Sequence, residues 1–181
     1  MSVGLYDVTV PVFIRSLTNL ASLLRKAGYQ TALKGYPAAL LLQSRLYPDM
    51  YELSLQIKRA ADIARETIEL YSGKNSVSFV EEVVSIEQHI AYVNHSISYL
   101  LTIAPRQFEG VLEQSFTLPP QHDERYTSLG YALFYALPNF YFHITTAYNI
   151  LRHNGVEIGK QDYLGLNLYR NQGFQDAGSG I

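Results

Sequence analysis

One histidine, His143, lies where an imidazole could act inside a helical core. It falls between Phe140 and Ala147 on a wide apolar helix face, with Asn139 four residues before it and Thr146 three residues after it. Side chains three and four residues apart are neighbours on a helix surface. A buried imidazole needs a partner for each ring nitrogen. His143 is therefore either a core histidine satisfied by a neighbouring helix or the polar anchor of a ligand pocket between helices.

Gln56 is the side chain that we expect to face His143. It lies beside three apolar residues of an earlier helical stretch, Leu53, Ile57 and Ala60. Together with Asn139 it would give His143 a neutral polar cluster, which could bind a small polar ligand or hold the helices in register. Amide oxygens are weak ligands for the metals that imidazole prefers. We therefore assign Gln56, Asn139, His143 and Thr146 as ligand-binding candidates.

The other four histidines have weaker claims to a site. His95 is expected on the outer face of the third helix, His122 in a proline-rich loop, and His153 in the last turn of the fourth helix. A cation in that last turn is favoured by the helix dipole. His89 flanks the apolar face of the third helix and is expected to be half-buried.

Metal ligands are not grouped in the sequence. It contains no cysteine, no His-x-x-x-His pair and no Glu-x-x-His pair, although such spacings hold zinc or di-iron centres in other proteins. No cofactor is therefore predicted. A divalent metal such as zinc or nickel would have to be held by His143 and residues of other helices, for which His89 and Asp49 are candidates.

Four stretches carry the three-four spacing of a buried helix face and so predict four helices. The first two stripes are Phe13, Leu17, Leu20, Leu24 and Ala27, then Met50, Leu53, Ile57, Ala60, Ala64 and Ile68. Pro11 suits the first turn of the first helix, and Gly28 suits its C-terminal cap. Pro48 and Asp49 are expected to start the second helix, which Gly73 follows.

The third and fourth helices show the same spacing. Their stripes are Val83, Ile86, Ile90, Val93, Ile97, Leu100 and Ala104, then Phe140, Ile144, Ala147 and Leu151. Ser78 and Glu81 have capping-box spacing before the third helix, which Pro105 closes. The fourth is expected to run from Pro138 toward Gly155. Four such segments predict an all-α protein built on an antiparallel four-helix bundle.

Three connections have predicted structure of their own. Residues 37–42 are expected to form a short helix that crosses the bundle. Residues 111–128 allow a small hairpin around a proline-containing turn, between helices three and four. Residues 129–137 are expected to be helical and to kink at Pro138.

Length and composition limit the class of protein. The 181 residues fit one domain, which we place at residues 1–165, followed by an irregular tail at residues 166–181. A formal charge of −2 with scattered basic residues argues against a nucleic-acid partner. No stretch predicts a signal peptide or a membrane span, and the absence of cysteine suits a reducing compartment. We expect no membrane partner and a cytoplasmic location.

Aromatic residues crowd around the start of the fourth helix. They are Tyr131, Phe134, Tyr135, Phe140, Tyr141 and Phe142. Six rings cannot all enter one core from one helix, so they form either ordinary core and surface contacts or a patch buried in a homodimer. We expect a homodimer.

Three segments resemble an uncharacterised family of bacterial and fungal proteins, a domain of unknown function within the DinB-like superfamily of four-helix bundles. They are LYDVTVPVFIRSLTNLASLLRKA, YPDMYELSLQIKRAADIAR and LPNFYFHITTAYNILRHNGVEIGKQDYLG, and the resemblance spans residues 3–165. It implies the bundle topology and a dimeric habit. The wider superfamily includes metal-dependent enzymes, some of which act on thiol cofactors. They bind a divalent metal through one histidine on the second helix and a His-x-x-x-His pair on the fourth.

In this sequence the second-helix position falls on Gln56, and the pair falls on Asn139 and His143. Two of the three imidazoles are replaced by amides, so the metal chemistry does not follow from the fold. The sequence therefore predicts a dimeric small-molecule-binding or non-enzymatic protein with a degenerate metal site. The alternatives are a divergent metal-dependent hydrolase or transferase of the thiol-cofactor type, with a metal near His143, and a purely structural dimer.

Overall fold

The computed structural model describes residues 3–76, 83–117 and 125–166. Within these ranges the α-helices are α1 Leu5–Lys34, α2 Ala38–Leu42, α3 Leu53–Ser72, α4 Ile86–Leu100, α5 Ser128–Tyr131, α6 Leu137–His153 and α7 Lys160–Leu164. Short 3₁₀ turns lie at Pro105–Phe108 and Val111–Glu113, and a π-helical turn lies at Ala132–Ala136. Strands β1 Ser115–Thr117 and β2 Arg125–Thr127 pair in antiparallel register. The predicted short helix is present as α2, and the two strands of the predicted hairpin pair, whereas the turn between them lies outside the described residues.

The long helices α1, α3, α4 and α6 pack around one apolar core, so the all-α four-helix bundle is confirmed. The pair α3 and α6 runs antiparallel. Gln56, early in α3, contacts His143 inside α6, whereas Tyr71 at the end of α3 packs on Tyr131, which precedes α6. The pair α1 and α4 is also antiparallel, because the start of α4 lies against the last third of α1.

The helices α3 and α4 run in the same direction. Near their starts, Ser54 Oγ lies 2.8 Å from His89 Nε2. Just past their ends, Lys74 Nζ donates to Thr102 Oγ1 at 2.8 Å. This parallel alignment places the first turns of α3 and α4 side by side.

The helices α1 and α6 are the second parallel pair. Phe13 near the start of α1 meets Phe140 near the start of α6 at 4.8 Å between ring centroids, in an edge-to-face arrangement. At the other end, Lys34 Nζ donates to the Gly155 carbonyl oxygen at 3.1 Å. Both phenylalanines are fully buried and belong to the apolar core.

The predicted N-terminal boundary of the first helix is wrong. The helix α1 begins at Leu5, so Pro11 lies inside it and not in its first turn. An internal proline removes one backbone hydrogen bond. The preceding turn forms nevertheless, since Leu5 and Val10 are buried and Asp7 Oδ2 accepts a hydrogen bond from the Gly4 N–H at 2.8 Å.

The predicted C-terminal boundary of the first helix is also wrong. Gly28 lies inside α1, and a Cβ added there would lie 3.3 Å from Ile86 Cγ2. The glycine therefore permits close approach of α1 and α4 and does not end the helix. Gly35 ends it, with a φ of 72° that favours glycine.

The starts of α3 and α4 also differ from prediction. The helix α3 begins at Leu53, after the Pro48-Asp49 signal, and ends before Gly73 as expected. The cap of α4 is Ser85, whose Oγ accepts from the Gln88 N–H at 3.2 Å while Gln88 Oε1 accepts from the Ser85 N–H at 3.0 Å. The predicted box of Ser78 and Glu81 lies outside the described residues.

The fourth long helix follows prediction closely. It runs from Leu137 to His153 with Pro138 in its first turn, and Gly155 follows with a φ of 79°. The chain before it is helical, as expected, and takes a π-helical turn at Ala132–Ala136. No helix among the described residues is both long and apolar enough to cross a membrane.

The segment from Gly159 to Gly165 packs against α1. Lys26 Nζ and Asp162 Oδ1 are 2.6 Å apart, and Asn19 Nδ2 donates to the Tyr163 carbonyl oxygen at 3.0 Å. Gly165 has a φ of 71°, and a Cβ there would lie 2.1 Å from Asn19 Oδ1. A side chain at this position is therefore excluded by both space and backbone conformation. The predicted tail lies outside the described residues from residue 167 onward.

The Phe13–Phe140 contact predicts a large difference between two substitutions of aromatic residues. We expect Phe13→Ala to lower the free energy of unfolding by about 3–5 kcal/mol, because it opens a cavity in a closed core. The control is Tyr29→Ala, whose residue is 70% exposed on α1 and which should change stability by less than about 0.5 kcal/mol. Urea unfolding measures both, and similar losses would contradict this core assignment.

Candidate functional site

His143 on α6 and Gln56 on α3 are in direct contact. His143 Nδ1 lies 2.6 Å from Gln56 Oε1. The exposed fractions of the two side chains are 7% and 1%. Both residues belong to the apolar faces of their helices, and the antiparallel pairing of α3 and α6 places them at the same depth.

Gln56 fixes the tautomer of His143. The Gln56 amide nitrogen donates to the Tyr51 carbonyl oxygen at 3.1 Å, so the amide oxygen is the atom turned toward the imidazole. An amide oxygen only accepts hydrogen bonds. In the neutral ring Nδ1 must therefore carry the proton, and Nε2 is left with a free lone pair.

The His143 ring stays neutral well below physiological pH. Burial lowers its pKa to about 4, and the positive charge of Arg59 acts in the same direction. Desolvation disfavours the charged imidazolium. Near neutral pH, Nε2 is therefore a hydrogen-bond acceptor or a metal ligand and not a donor.

His143 lines a shallow depression of about 200 Å³ at the surface, which we call the His143 depression. It is lined by Asp49, Met50, Tyr51, Gln56, Phe142 and His143. The Tyr51 ring lies nearly parallel to the imidazole at 6.3 Å between centroids. Phe142 meets the imidazole edge-on at 5.3 Å. The depression thus combines two aromatic rings with Asp49 and His143, whose side chains can accept hydrogen bonds.

Asn139 and Thr146 do not join the Gln56–His143 pair. Asn139 is only partly buried, and it lies one helical turn nearer the start of α6. Thr146 is 5% exposed. Within the described chain, the hydrogen bond of the His143 ring goes to Gln56 and to neither of these residues. Their predicted role in ligand binding stays a prediction.

The metal-ligand candidates are divided between two places. Asp49 lines the same depression as His143. His89 instead lies between α3 and α4, where both ring nitrogens have partners. The described ranges contain no cluster of three or more histidine, aspartate or glutamate side chains that could hold a metal.

His89 is more buried than the sequence indicated. The sequence predicts a half-buried His89, but its exposed fraction is 0%. It follows Ile86 by three residues and precedes Val93 by four, so it belongs to the buried stripe of α4. This spacing is the sequence feature that indicates the burial of His89. Of the remaining histidines, His95 is partly buried and His153 is exposed, whereas His122 lies outside the described residues.

Comparisons with known proteins show which family and which solved structure this chain is similar to. A family model described as a domain of unknown function (DUF1993) matches residues 5–164. The chain is 35% identical to a solved protein from Shewanella denitrificans, described as a DinB family member, over 89% of this chain and 92% of that chain. The two structures align with a TM-score of 0.82. No curated protein gives a significant match.

The lowered pKa of His143 predicts a pH dependence of stability. Unfolded histidine titrates near pH 6.5, whereas folded His143 titrates at about 4. Its contribution is therefore complete above about pH 6.5 and is lost as pH falls toward 4, because the unfolded chain binds the extra proton. His143→Gln should show a shallower loss of unfolding free energy across this window in urea titrations.

Nitrogen-15 NMR of the imidazole provides the direct measurement. We expect Nε2 of His143 to be unprotonated at neutral pH and to titrate near pH 4, as the tautomer and the burial require. A His143 midpoint near pH 6.5, the value of an unperturbed histidine, would contradict the assignment.

Proposed function

We propose that this chain, which belongs to the DUF1993 family of DinB-like proteins of unknown function, binds a small molecule in the His143 depression. The observation that carries this proposal is the 2.6 Å contact between His143 Nδ1 and Gln56 Oε1. It leaves Nε2 as an acceptor to which no described residue donates, on a residue that lines the depression. Functional pockets commonly pair apolar walls with a few fixed polar groups of this kind.

The lining of the depression favours a flat ligand with hydrogen-bond donors. Nε2 accepts a hydrogen bond in its neutral state, and the Asp49 carboxylate accepts a second or attracts a positive charge. Tyr51 and Phe142 offer aromatic surface on either side, with exposed fractions of 52% and 53%. A volume of about 200 Å³ is below that of a typical drug-sized pocket. We therefore propose a fragment-sized aromatic or heteroaromatic compound with an N–H or O–H group.

Pairs of bicyclic heteroaromatic compounds test this function, each pair consisting of an N–H donor such as indole and its N-methyl derivative. The donor should bind about 2–10-fold more tightly, which corresponds to one net hydrogen bond of about 0.5–1.5 kcal/mol. His143→Phe should remove that preference, whereas the control His153→Phe should keep it. Chemical-shift titration measures the affinities. Equal binding of the two members, or a preference that survives His143→Phe, would count against the proposal.

A second candidate is a divergent metal-dependent hydrolase or transferase. It is supported by Asp49 and His143, which line the same depression and have side chains of types that bind divalent metals. No third histidine, aspartate or glutamate of the described residues joins them in a metal-binding group. Against it, Gln56 and Asn139 carry amides at the positions that correspond to metal-binding histidines in the DinB-like superfamily. Gln56 Oε1 is also already bonded to His143. We therefore favour a degenerate metal site.

Elemental analysis of protein purified without a histidine tag separates the two functions. Less than a tenth of an equivalent of zinc, nickel or manganese supports the degenerate site. Stoichiometric metal that disappears in both Asp49→Asn and His143→Gln would instead establish the metal-dependent alternative. Metal that survives both substitutions would place it elsewhere in the chain.

We also propose that the protein is a cytoplasmic homodimer that uses part of its aromatic run. Phe140 is fully buried in the core, but Phe134, Phe142 and Tyr141 are 76%, 53% and 38% exposed. Large exposed aromatic side chains are enriched at protein–protein interfaces. Phe142 also lines the His143 depression, so a partner seated on these rings would lie beside the ligand.

Light scattering after size exclusion should give twice the chain mass of 20.5 kDa at micromolar concentration. The double variant Phe134→Ser with Tyr141→Ser should shift the protein toward monomer, because it removes apolar surface from the interface. Tyr29→Ser is the control, since Tyr29 is 70% exposed on α1. A monomeric wild-type protein would refute the dimer. A dimer that binds none of the tested compounds would favour a purely structural role.

A further inference from the structure

The geometry points to a second site, a serine nucleophile at Ser54 with His89 as its general base, which would act on small neutral carboxylic esters. Ser54 Oγ lies 2.8 Å from His89 Nε2, within the range for proton transfer in a serine–histidine pair. The two residues come from the adjacent first turns of α3 and α4. This inference is independent of the His143 depression.

The direction of the Ser54–His89 hydrogen bond follows from the other side of the ring. His89 Nδ1 lies 2.7 Å from the Ser85 carbonyl oxygen, which can only accept. Nδ1 therefore carries the proton of the neutral imidazole, and Nε2 accepts from the Ser54 hydroxyl. In a catalytic serine–histidine pair the base is oriented by a third group on Nδ1, and the Ser85 carbonyl occupies that place.

His89 is held in the state that a base requires. Its exposed fraction is 0%, and burial lowers its pKa, with Lys58 acting in the same direction. The Ser85 hydrogen bond and the negative charge of Glu52 oppose this effect. At neutral pH the ring is therefore neutral and able to take a proton. The capping box at Ser85 fixes the position of the ring at the start of α4.

Ser54 and His89 border a depression of about 220 Å³, separate from the first. Its other lining residues are Ala39, Leu42, Gln43, Glu52, Val83 and Val84. The described lining is half apolar and half polar, and its one charged group is Glu52, which is paired with Arg45 at 3.1 Å. A negative group disfavours anionic substrates, so the lining suits a neutral ester with a short acyl chain.

Donors for the developing oxyanion lie next to the hydroxyl. Ser54 is the second residue of α3, and Glu52 provides no side-chain cap at that end. The backbone N–H groups of Ser54 and Leu55 have no partner within the described chain, in contrast to those of Leu53 and Gln56, which are bonded. Free N–H groups at a helix start stabilise negative charge.

The reaction would proceed in two balanced steps. Ser54 Oγ attacks the ester carbonyl carbon as its proton passes to His89 Nε2, and that proton then goes to the departing alkoxide as the ester C–O bond breaks. The acyl group is left on Ser54. Water then attacks the acyl carbon, gives a proton to His89 and releases a carboxylic acid, and the proton returns to Ser54 Oγ.

Labelling with a fluorophosphonate, followed by peptide mass spectrometry, tests the site on the full chain. We expect one adduct, on Ser54, and a labelling rate about 100-fold or more lower in His89→Gln, the lower range for a general base. Ser72→Ala should label at the wild-type rate. Ser72 lies on the same helix, but its hydroxyl donates to the Ile68 carbonyl oxygen. Ser54→Ala should abolish the adduct.

A second experiment, with an ester substrate, shows whether Ser54 reacts with more than the fluorophosphonate probe. p-Nitrophenyl acetate should give a burst of one nitrophenolate per chain in wild type and none in Ser54→Ala. Circular dichroism verifies that the variants are folded. If His89→Gln does not fold, a competition experiment takes the place of that variant: excess ethyl acetate should slow the fluorophosphonate labelling of the wild-type protein. No adduct on Ser54 in folded wild type, equal labelling in folded His89→Gln, or no protection by the ester would overturn the inference.

Discussion

A polar side chain buried in an apolar bundle must find a partner, and this constraint fixes how α3 and α6 meet. His143 Nδ1 and Gln56 Oε1 are 2.6 Å apart, and both side chains are almost inaccessible. The net stabilisation from such a bond is about 1 kcal/mol, but a partner left unpaired costs about 1–3 kcal/mol. A slip of α6 by one turn would separate the two groups. Their pairing therefore specifies the register of the two helices more than it adds to stability.

The spacing of apolar residues predicted the buried helix faces because that spacing depends on helix geometry alone. The helix ends depend on tertiary packing as well, and two local signals in α1 were overridden. An internal proline costs about 3 kcal/mol and an internal glycine about 1 kcal/mol. Burial of Leu5 and Val10 before Pro11, and of Thr31 after Gly28, offsets these losses. Sequence spacing could not reveal that Gly28 faces another helix at close range.

The same distinction applies to the candidate site. The Gln56–His143 contact could be anticipated because each residue lies within an apolar stripe, where only a neighbouring helix can supply a partner. Asn139 shares a face with His143, but a residue four positions earlier in α6 lies about 5.4 Å further along the axis. The antiparallel neighbour carries Gln56 at the level of His143 only, so the amide of Asn139 lies beyond its reach and is partly exposed.

The two buried histidines show how one protonation state can serve different chemistry. In each, Nδ1 faces an oxygen that cannot donate, Gln56 Oε1 for His143 and the Ser85 carbonyl for His89. Burial lowers both pKa values, so each ring presents a lone pair on Nε2. The parallel alignment of α3 and α4 places the Ser54 hydroxyl within hydrogen-bonding distance of His89 Nε2. The spacing of apolar residues does not encode this alignment. No side chain of the described residues donates to the other ring, which leaves the lone pair on His143 Nε2 available to a ligand in the proposed binding site.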